Sequence, residues 1–363
     1  MKEQNFIAGG CTREKLWETL TAAGVSRPML VCGKSLERYP LWASLEQGGA
    51  AVVFREFTSN PQIEDVKQGV KLFRQHNCDS LISIGGGTAI DIAKCVKAFQ
   101  GVEEGDWGED LPPVEENQVF HIAVPTTAGT GSESTTFAVV YKDGIKRSVE
   151  HASLLPDAVF LDGTLLRYLP EYQKKATFLD AVCQAVESMW AVNATEESQR
   201  FAEESLRLLL RYKDPYFSGD EEVNQPVLEA ANYSGRAICI SKTTAAHAMS
   251  YPLTSLYHVA HGHGVAMMLP FTLEKLLCSD LTPETKGALA KLEDLFGAAD
   301  GGALLRKVED FLESFQMPFP KDAKLKDLPL LLKGVNPQRL GNFPAALTRQ
   351  ELEEIYRKAL RLS

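Results

Sequence analysis

Residues 80–99, SLISIGGGTAIDIAKCVKAF, join an apolar run to an amphipathic segment through three glycines. SLISI predicts a buried strand, and AIDIAKCVKAF predicts a helix with Asp91 in its first turn. Consecutive glycines allow a backbone to approach a pyrophosphate, and the start of a helix stabilises its charge. We therefore expect a dinucleotide-binding turn here, with Asp91 as a candidate contact. The alternative is a plain structural turn, because GGG is neither GxGxxG nor a P-loop.

The same alternation of strand and helix extends on both sides of this stretch. Further strands are predicted in PMLVCGK, AAVVFREF and HIAVPTT, and NPQIEDVKQGVKLFRQHN has helical spacing of its apolar residues. Such alternation predicts a parallel sheet covered by helices. After a last strand in LPDAVFLDGTLL, the segments become long and helical in period. We therefore expect an α/β domain over residues 1–161 and an all-α domain over residues 162–363.

Composition restricts the partners and the compartment. The chain has 363 residues, a formal net charge of −10 and a pI near 5.3. An acidic chain is a poor match for nucleic acid or an anionic membrane, and no segment has the length of apolar sequence that a spanning helix needs. The seven cysteines are widely spaced and contain no CxxC pair. This pattern predicts a reduced, cytoplasmic protein.

A second glycine-containing loop, VPTTAGTGSES at 124–134, carries Thr126, Thr127 and Thr130. Hydroxyl groups between flexible glycines suit the ribose and phosphate oxygens of a nucleotide. A solvated connector would have the same composition, so the loop alone does not decide between the two.

Four side chains further along the chain form a candidate metal site. Asp180 and Gln184 are one helical turn apart and share a face. His247 and His261 are fourteen residues apart, with Pro252 between them, so they meet if the chain folds back. One carboxylate, one amide oxygen and two imidazoles suit Fe(II) or Zn(II). The alternative is two histidines that are packed or hydrogen-bonded.

Together, GGGTAIDIAK, PTTAGTGSE, LDAVCQAVES, AAHAMSY and VAHGHG resemble the iron-containing (group III) alcohol dehydrogenases, and they occur in that family's order. The resemblance implies a Rossmann-like nucleotide-binding domain followed by an all-α domain, the dehydroquinate synthase-like fold. It implies a metal-dependent, NAD(P)H-linked alcohol dehydrogenase or aldehyde reductase that is at least a homodimer. By position in the motifs, it also implies cofactor contacts by Gly86, Gly87, Thr88, Thr126, Thr127, Thr130 and Lys146, and metal ligands Asp180, His247 and His261.

Two positions depart from the family pattern. Gln184 occupies the place of a fourth, histidine ligand, and a neutral amide oxygen is a weaker ligand than imidazole. Tyr251 replaces a histidine expected near the nicotinamide, and it can still donate a proton. His263 is a second candidate proton donor, and His258 and His263 are both candidates to replace a missing imidazole.

Two further features predict specificity. Gly33 stands where NAD-preferring relatives carry an aspartate that repels a 2′-phosphate, so we expect NADPH to be slightly preferred. Lys242, His258, His263 and His151 are cationic candidates for binding an anionic aldehyde, and the motifs also resemble the phosphonoacetaldehyde reductase subgroup. The alternatives are a simple short alcohol, a dehydroquinate synthase-like lyase, and a nucleotide-binding chain that is not an enzyme because it has lost its metal.

Overall fold

The computed structural model describes residues 4–362, which form two compact units. The first contains the chain up to Thr127 together with Gly131–Leu169 and Asp220–Leu228. The second contains Ala128–Thr130, Pro170–Gly219 and the chain from Glu229 onward.

All eight strands of the described chain lie in the first unit, and they are β1 (Asn5–Ala8), β2 (Pro28–Cys32), β3 (Val52–Phe54), β4 (Ser80–Gly85), β5 (Phe120–Pro125), β6 (Phe137–Lys142), β7 (Ile145–Glu150) and β8 (Ala158–Leu161). Six of them form a parallel sheet in the order β1-β8-β5-β4-β2-β3. The remaining two, β6 and β7, form an antiparallel hairpin. This sheet confirms the α/β class that the sequence predicts.

The α-helices of the described chain are α1 (Arg13–Ala22), α2 (Pro40–Glu46), α3 (Ile63–Gln75), α4 (Gly87–Phe99), α5 (Glu171–Trp190), α6 (Glu196–Ser218), α7 (Asn224–Ser241), α8 (Ala245–Tyr257), α9 (His261–Leu277), α10 (Pro283–Phe296), α11 (Gly301–Glu313), α12 (Leu328–Lys333), α13 (Pro337–Gly341) and α14 (Arg349–Ala359). None of these helices combines the length and the apolar character that a membrane crossing requires.

The core of the first unit has a layer on each face of the sheet. On one face, helices α3 and α4 pack through side chains such as Val66, Phe73 and Phe99. On the other face, helices α1 and α2 pack through side chains such as Leu16 and Leu41. Because both faces are covered, β2, β4 and β8 are apolar and almost wholly buried, as expected for parallel strands.

The sequence analysis missed β1 and the β6–β7 hairpin. β1 is a four-residue edge strand that is largely exposed, so it lacks the apolar run that marks the inner strands. The hairpin turns at Asp143 and Gly144, which both have positive φ. Asp-Gly between two β-rich runs is a strong hairpin signal, so this element could have been found from the sequence.

The described residues of the second unit form helices and connecting loops, and none of the eight strands lies there. Its central helix, α5, packs against α6 and α9, and α8 packs against α9. The C-terminal half of α5 is fully buried from Phe178 to Trp190, which explains its apolar sequence on all sides.

Candidate metal and cofactor site

Asp180, His247 and His261 converge in the second unit. Each offers one donor atom, and the three atoms lie within 4.8 Å of one another. The Nε2 atoms of His247 and His261 lie 3.4 Å and 3.9 Å from Asp180 Oδ1. Asp180 and His247 are buried, and His261 is half-buried.

Two local features bring the donors together. Helix α8 ends at Tyr257, and the next residue, His258, takes a left-handed conformation (φ 55°). Helix α9 then begins at His261. Gly262 then allows α9 to approach α5 closely. A Cβ at Gly262 would lie 2.0 Å from the Ala176 carbonyl oxygen and 2.6 Å from Asp180 Cβ. Glycine is therefore needed immediately after the candidate ligand His261.

Glu187 orients His247, and the sequence analysis missed it. Its buried carboxylate accepts hydrogen bonds from the Thr244 hydroxyl (2.6 Å), the Thr244 N–H (3.2 Å) and the Ala246 N–H (2.8 Å), and it contacts His247 Nδ1. A proton held on Nδ1 leaves Nε2, which lies 3.4 Å from Asp180 Oδ1, as the candidate ligand atom. The available signal was spacing, because Glu187 lies seven residues after Asp180 on the same helix face.

The carboxylates also determine the pKa values of this cluster. Burial by itself lowers the pKa of His247, but Glu187 and Asp180 outweigh it and raise the pKa to about 9. Burial by itself raises the pKa of Glu187, but His247 and Thr244 hold it below its usual value. The pair is therefore an ionised carboxylate facing an imidazole N–H.

Gln184 lies one turn after Asp180 on α5 and is buried. Its Nε2 donates to the Thr130 carbonyl oxygen (3.3 Å), and its Oε1 lies 3.0 Å from the Ser234 hydroxyl. Both polar ends of the side chain thus contact protein atoms.

The candidate proton donors have different surroundings. The Tyr251 ring lies 5.6 Å from the His261 ring between centroids, so Tyr251 borders the cluster. His263 is buried, and its Nδ1 lies 3.1 Å from the Tyr172 hydroxyl. Burial lowers the pKa of His263 to about 4, so it is uncharged at neutral pH. His258 is exposed at the end of α8.

The glycine loop lies beside Thr126 and Thr127, the part of the threonine loop that belongs to the first unit. Gly86 caps α4, and a Cβ there would lie 3.2 Å from Thr127 Cγ2. The Thr126 N–H donates to the Gly85 carbonyl oxygen (2.9 Å), and the Thr88 hydroxyl donates to the Ser59 carbonyl oxygen (2.8 Å). The N–H groups at the start of α4, which include Gly87, are thus placed next to the threonine loop.

Asp91 and Lys94 hold the end of the threonine loop and the residues that follow it. Asp91 accepts hydrogen bonds from the Ser132 hydroxyl (2.5 Å) and the Val139 N–H (3.1 Å). Burial raises the pKa of Asp91, while Lys94 opposes the shift. The buried Lys94 ammonium donates to the carbonyl oxygens of Ser132 (2.5 Å), Thr135 (2.7 Å) and Phe137 (2.9 Å). Lys94, which the sequence analysis missed, and Asp91 therefore both bond to residues 132–139, which directly follow the threonines that the sequence predicts to contact the cofactor.

The remaining predicted cofactor contacts are Gly33 and Lys146. Gly33 follows β2 with φ −76°, and a Cβ there would meet only Ser35 Oγ, at 3.6 Å. Lys146 lies on β7 opposite Tyr141, and its charge lowers the pKa of Asp91.

Comparison with known proteins identifies the family. Residues 4–163 match the iron-containing alcohol dehydrogenase model, and residues 174–360 match the C-terminal model of the Fe-containing alcohol dehydrogenase family. A phosphonoacetaldehyde reductase of Streptomyces viridochromogenes is 32% identical over 77% of this chain and 75% of its own length. A long-chain-alcohol dehydrogenase of Geobacillus thermodenitrificans is 29% identical over 78% and 72%.

Solved structures show the same fold. An iron-containing alcohol dehydrogenase has a TM-score of 0.85 at 26% identity, with 99% of this chain and 98% of that chain covered. The sulfoacetaldehyde reductase of Bifidobacterium kashiwanohense, solved with NAD+, has a TM-score of 0.87 at 22% identity, with the same coverage. The predicted Rossmann-like and all-α architecture of dehydroquinate synthase-like type is therefore confirmed.

The residues of this chain fit the metal that the family implies. His247 Nε2 is buried and forms no hydrogen bond within residues 4–362, although it lies 3.4 Å from Asp180 Oδ1. A buried ring nitrogen without a hydrogen bond is costly unless something else binds it. Two imidazoles and one carboxylate are the donor set of many Fe(II) sites, and they also suit Zn(II).

The family match favours a dehydrogenase over a lyase or a non-catalytic nucleotide-binding chain. Iron and a nicotinamide dinucleotide are the groups that it implies. The chain belongs to the iron-containing alcohol dehydrogenase family and is an oxidoreductase.

Proposed function

We propose that the chain reduces a small anionic aldehyde with NADPH or NADH, using one divalent metal ion. The convergence of Asp180, His247 and His261 within 4.8 Å is the observation that carries the metal-dependent part of this proposal. The similarity to a phosphonoacetaldehyde reductase supports the anionic aldehyde.

The residues of the site have separate proposed roles. Asp180, His247 and His261 would hold the ion, Fe(II) or Zn(II), and Glu187 would keep His247 in the tautomer that binds it. When bound, the ion supplies a Lewis acid for the carbonyl oxygen and the reduced nicotinamide supplies the hydride. Tyr251, beside His261, is the proposed proton donor to the product oxygen. His263, the second candidate, is less suited because it is neutral and paired with Tyr172.

Lys242 is the proposed anion-binding residue. It lies between α7 and α8 with φ 62°, two residues before Thr244, which bonds to Glu187. His263 is neutral, His258 is exposed, and His151 Nδ1 contacts the Ser153 hydroxyl (2.8 Å). The local positive charge predicted from the sequence therefore rests mainly on Lys242.

The cofactor preference also belongs to this proposal. At Gly33 no carboxylate repels a 2′-phosphate, and the neighbouring Lys34 forms an exposed ion pair with Glu56 (3.1 Å). We propose that NADPH is accepted at least as well as NADH. A homodimer or larger homo-oligomer and a cytoplasmic location stay predictions from the family resemblance and the cysteines.

An aldehyde screen with both cofactors and added Fe(II) or Zn(II) tests the proposed function. We expect phosphonoacetaldehyde to exceed acetaldehyde and butanal in kcat/KM by at least about tenfold, and Lys242→Ala to reduce that advantage. Equal values for charged and neutral aldehydes would reject the anionic substrate. No oxidation of NADPH or NADH with any aldehyde by metal-loaded protein would reject the reductase itself.

A further inference from the structure

Lys242 has a backbone conformation that disfavours any residue with a side chain. Its φ is 62°, in the left-handed region, and it directly follows α7, which ends at Ser241. Glycine is the usual residue at such a helix end, because it has no Cβ to clash there. A lysine in this conformation costs free energy of folding, so its presence calls for a compensating role.

Asn342 holds the peptide groups on both sides of Lys242. The Asn342 side chain is buried, and its Nδ2 donates to the carbonyl oxygens of Ser241 (2.8 Å) and Thr243 (3.0 Å). Its Oδ1 accepts a hydrogen bond from the Asn193 N–H (2.9 Å), which fixes the amide in turn. The two N–H groups of one buried amide therefore bind the two carbonyl groups that flank Lys242.

The main chain of Lys242 is also bonded. Its N–H donates to the Ile238 carbonyl oxygen (3.0 Å), and its carbonyl oxygen lies 2.9 Å from Ser241 Oγ. Because the neighbouring peptide groups are bonded to Asn342 as well, the backbone at this position has little freedom to change. The direction in which the lysine side chain leaves the turn is therefore determined by the fold.

The turn that carries Lys242 is connected to the candidate metal cluster. Two residues further on, the Thr244 hydroxyl donates to Glu187 (2.6 Å), the carboxylate that contacts His247. Glu187 lies two helical turns, or roughly 10 Å, beyond Asp180 on α5. The four-carbon stem of a lysine covers part of a distance of this size, and the body of a small anionic substrate covers the rest.

We propose that Asn342 is a positioning residue for substrate recognition. It holds Lys242 in the left-handed conformation that presents the lysine ammonium group to the anionic group of the aldehyde. The charge explains why the turn contains lysine where glycine would be more stable. This inference rests on the proposed function and deepens it, because it assigns a second residue to anion recognition and states how that residue acts.

The variant Lys242→Gly tests whether the turn is strained in favour of the charge. We expect its Tm, measured on the metal-free protein, to rise by about 1–3 °C, because glycine accepts a left-handed conformation. We expect its preference for phosphonoacetaldehyde over butanal in kcat/KM to fall to about one, because the ammonium group is lost. A Tm below that of wild type, or a preference that persists, would overturn the proposal.

The variant Asn342→Ala keeps the lysine and removes the two hydrogen bonds that fix its turn. We expect the preference for phosphonoacetaldehyde to fall by at least about fivefold, through a higher KM for that substrate more than through its kcat. Equal losses of kcat/KM with phosphonoacetaldehyde and butanal would show that Asn342 only supports the fold. If this variant does not fold, Lys242→Gly still decides the proposal, because it is expected to be stable.

The double variant shows whether Asn342 acts through Lys242. In the Lys242→Gly background, Asn342→Ala should still lower the Tm, but it should change the substrate preference by less than about twofold. Changes in preference that multiply as for two independent residues would overturn the positioning role.

Asn336→Ala is the matched control, because Asn336 and Asn342 flank the short helix α13. The Asn336 side chain accepts from the Arg339 N–H (2.9 Å), a bond within the helix. This variant should lower the Tm and retain the preference, and a loss as large as that of Asn342→Ala would overturn the specific role. If Lys242→Gly loses the preference and Asn342→Ala keeps it, the proposed function stands and only the positioning role is rejected. A wild type without the preference rejects the anionic substrate and this inference with it.

Discussion

Replacement of Glu187 by glutamine tests whether this buried carboxylate positions His247 or only supports the fold. The carboxylate accepts from the Thr244 hydroxyl and the Ala246 N–H at one oxygen, and from the Thr244 N–H and His247 at the other. In Glu187→Gln, one oxygen becomes an NH2 group. We expect it to face the Thr244 hydroxyl, because that group can turn and accept a hydrogen bond.

The magnitude follows from the partners that are lost. In this orientation the Ala246 N–H loses its acceptor, and a buried unsatisfied group costs about 1–3 kcal/mol. The amide oxygen would still accept from His247 Nδ1, but without the negative charge. Losing such a partner of a metal-binding histidine lowers metal affinity by about 10–100-fold, or roughly 1.4–2.8 kcal/mol.

Two measurements separate the effects. Urea unfolding of the metal-free protein gives the free energy of unfolding, and competition with a chelator gives the metal dissociation constant. Ser188→Ala is the matched control, since the Ser188 hydroxyl lies next in the chain and contacts the Ser241 hydroxyl (2.8 Å). It should cost about 0.5–1.5 kcal/mol in stability and leave metal affinity unchanged. If Glu187→Gln destabilised the fold but bound metal as tightly as wild type, the positioning role would be refuted.

Substitutions elsewhere test the ligand set, the cofactor pocket and a buried histidine of the sheet. His247→Ala and His261→Ala should each abolish bound metal and turnover, and stoichiometric metal in either purified variant, measured by elemental analysis, would contradict the ligand assignment. Gly33→Asp should shift the kcat/KM ratio toward NADH, because the backbone at position 33 accepts a side chain without strain and a carboxylate repels a 2′-phosphate; strict NADH preference in the wild type would reject this reasoning. Burial lowers the pKa of His121 well below its usual value. Below about pH 6.5 the unfolded chain therefore takes up a proton that the folded chain does not, and the free energy of unfolding should decrease as the pH is lowered. The Tm of His121→Gln should fall less between pH 7 and 5 than that of wild type, and parallel curves would count against this source of acid sensitivity.

Most strands and helices with a strong hydrophobic pattern were predicted from the sequence. The four inner strands and α3 follow from apolar runs and helical spacing, and the glycine turn between β4 and α4 lies where predicted. Those signals are local, because each face of an inner strand or amphipathic helix must be covered by apolar contacts. Convergence of Asp180 with His247 and His261 is not local. The residue types and a possible fold-back at Pro252 suggested it, and the family resemblance supported it.

Hydrogen-bond partners that depend on tertiary packing could not be predicted from the sequence. In the sequence, Lys94 is one charged residue of an amphipathic helix. In the structure it is buried and donates hydrogen bonds to three carbonyl oxygens about 40 residues away in the chain. Glu187 was visible in the motif, but its role depends on the turn before α8, which places Thr244 and Ala246 over it. Spacing identifies which residues share a helix face, and tertiary contacts decide what that face meets.

His247 and His263 show why residue type and proximity in sequence do not determine chemistry. Both are buried in the same α8–α9 segment, and burial alone would lower the pKa of each. His247 faces two carboxylates and its pKa rises to about 9, whereas His263 faces the hydroxyl of Tyr172 and its pKa falls to about 4. The direction of each shift is decided by whether a negative charge lies within contact distance. A histidine with carboxylate partners has the ring orientation and basicity that a metal site needs, so the geometry favours His247 over His263 as the candidate ligand where the sequence offers both.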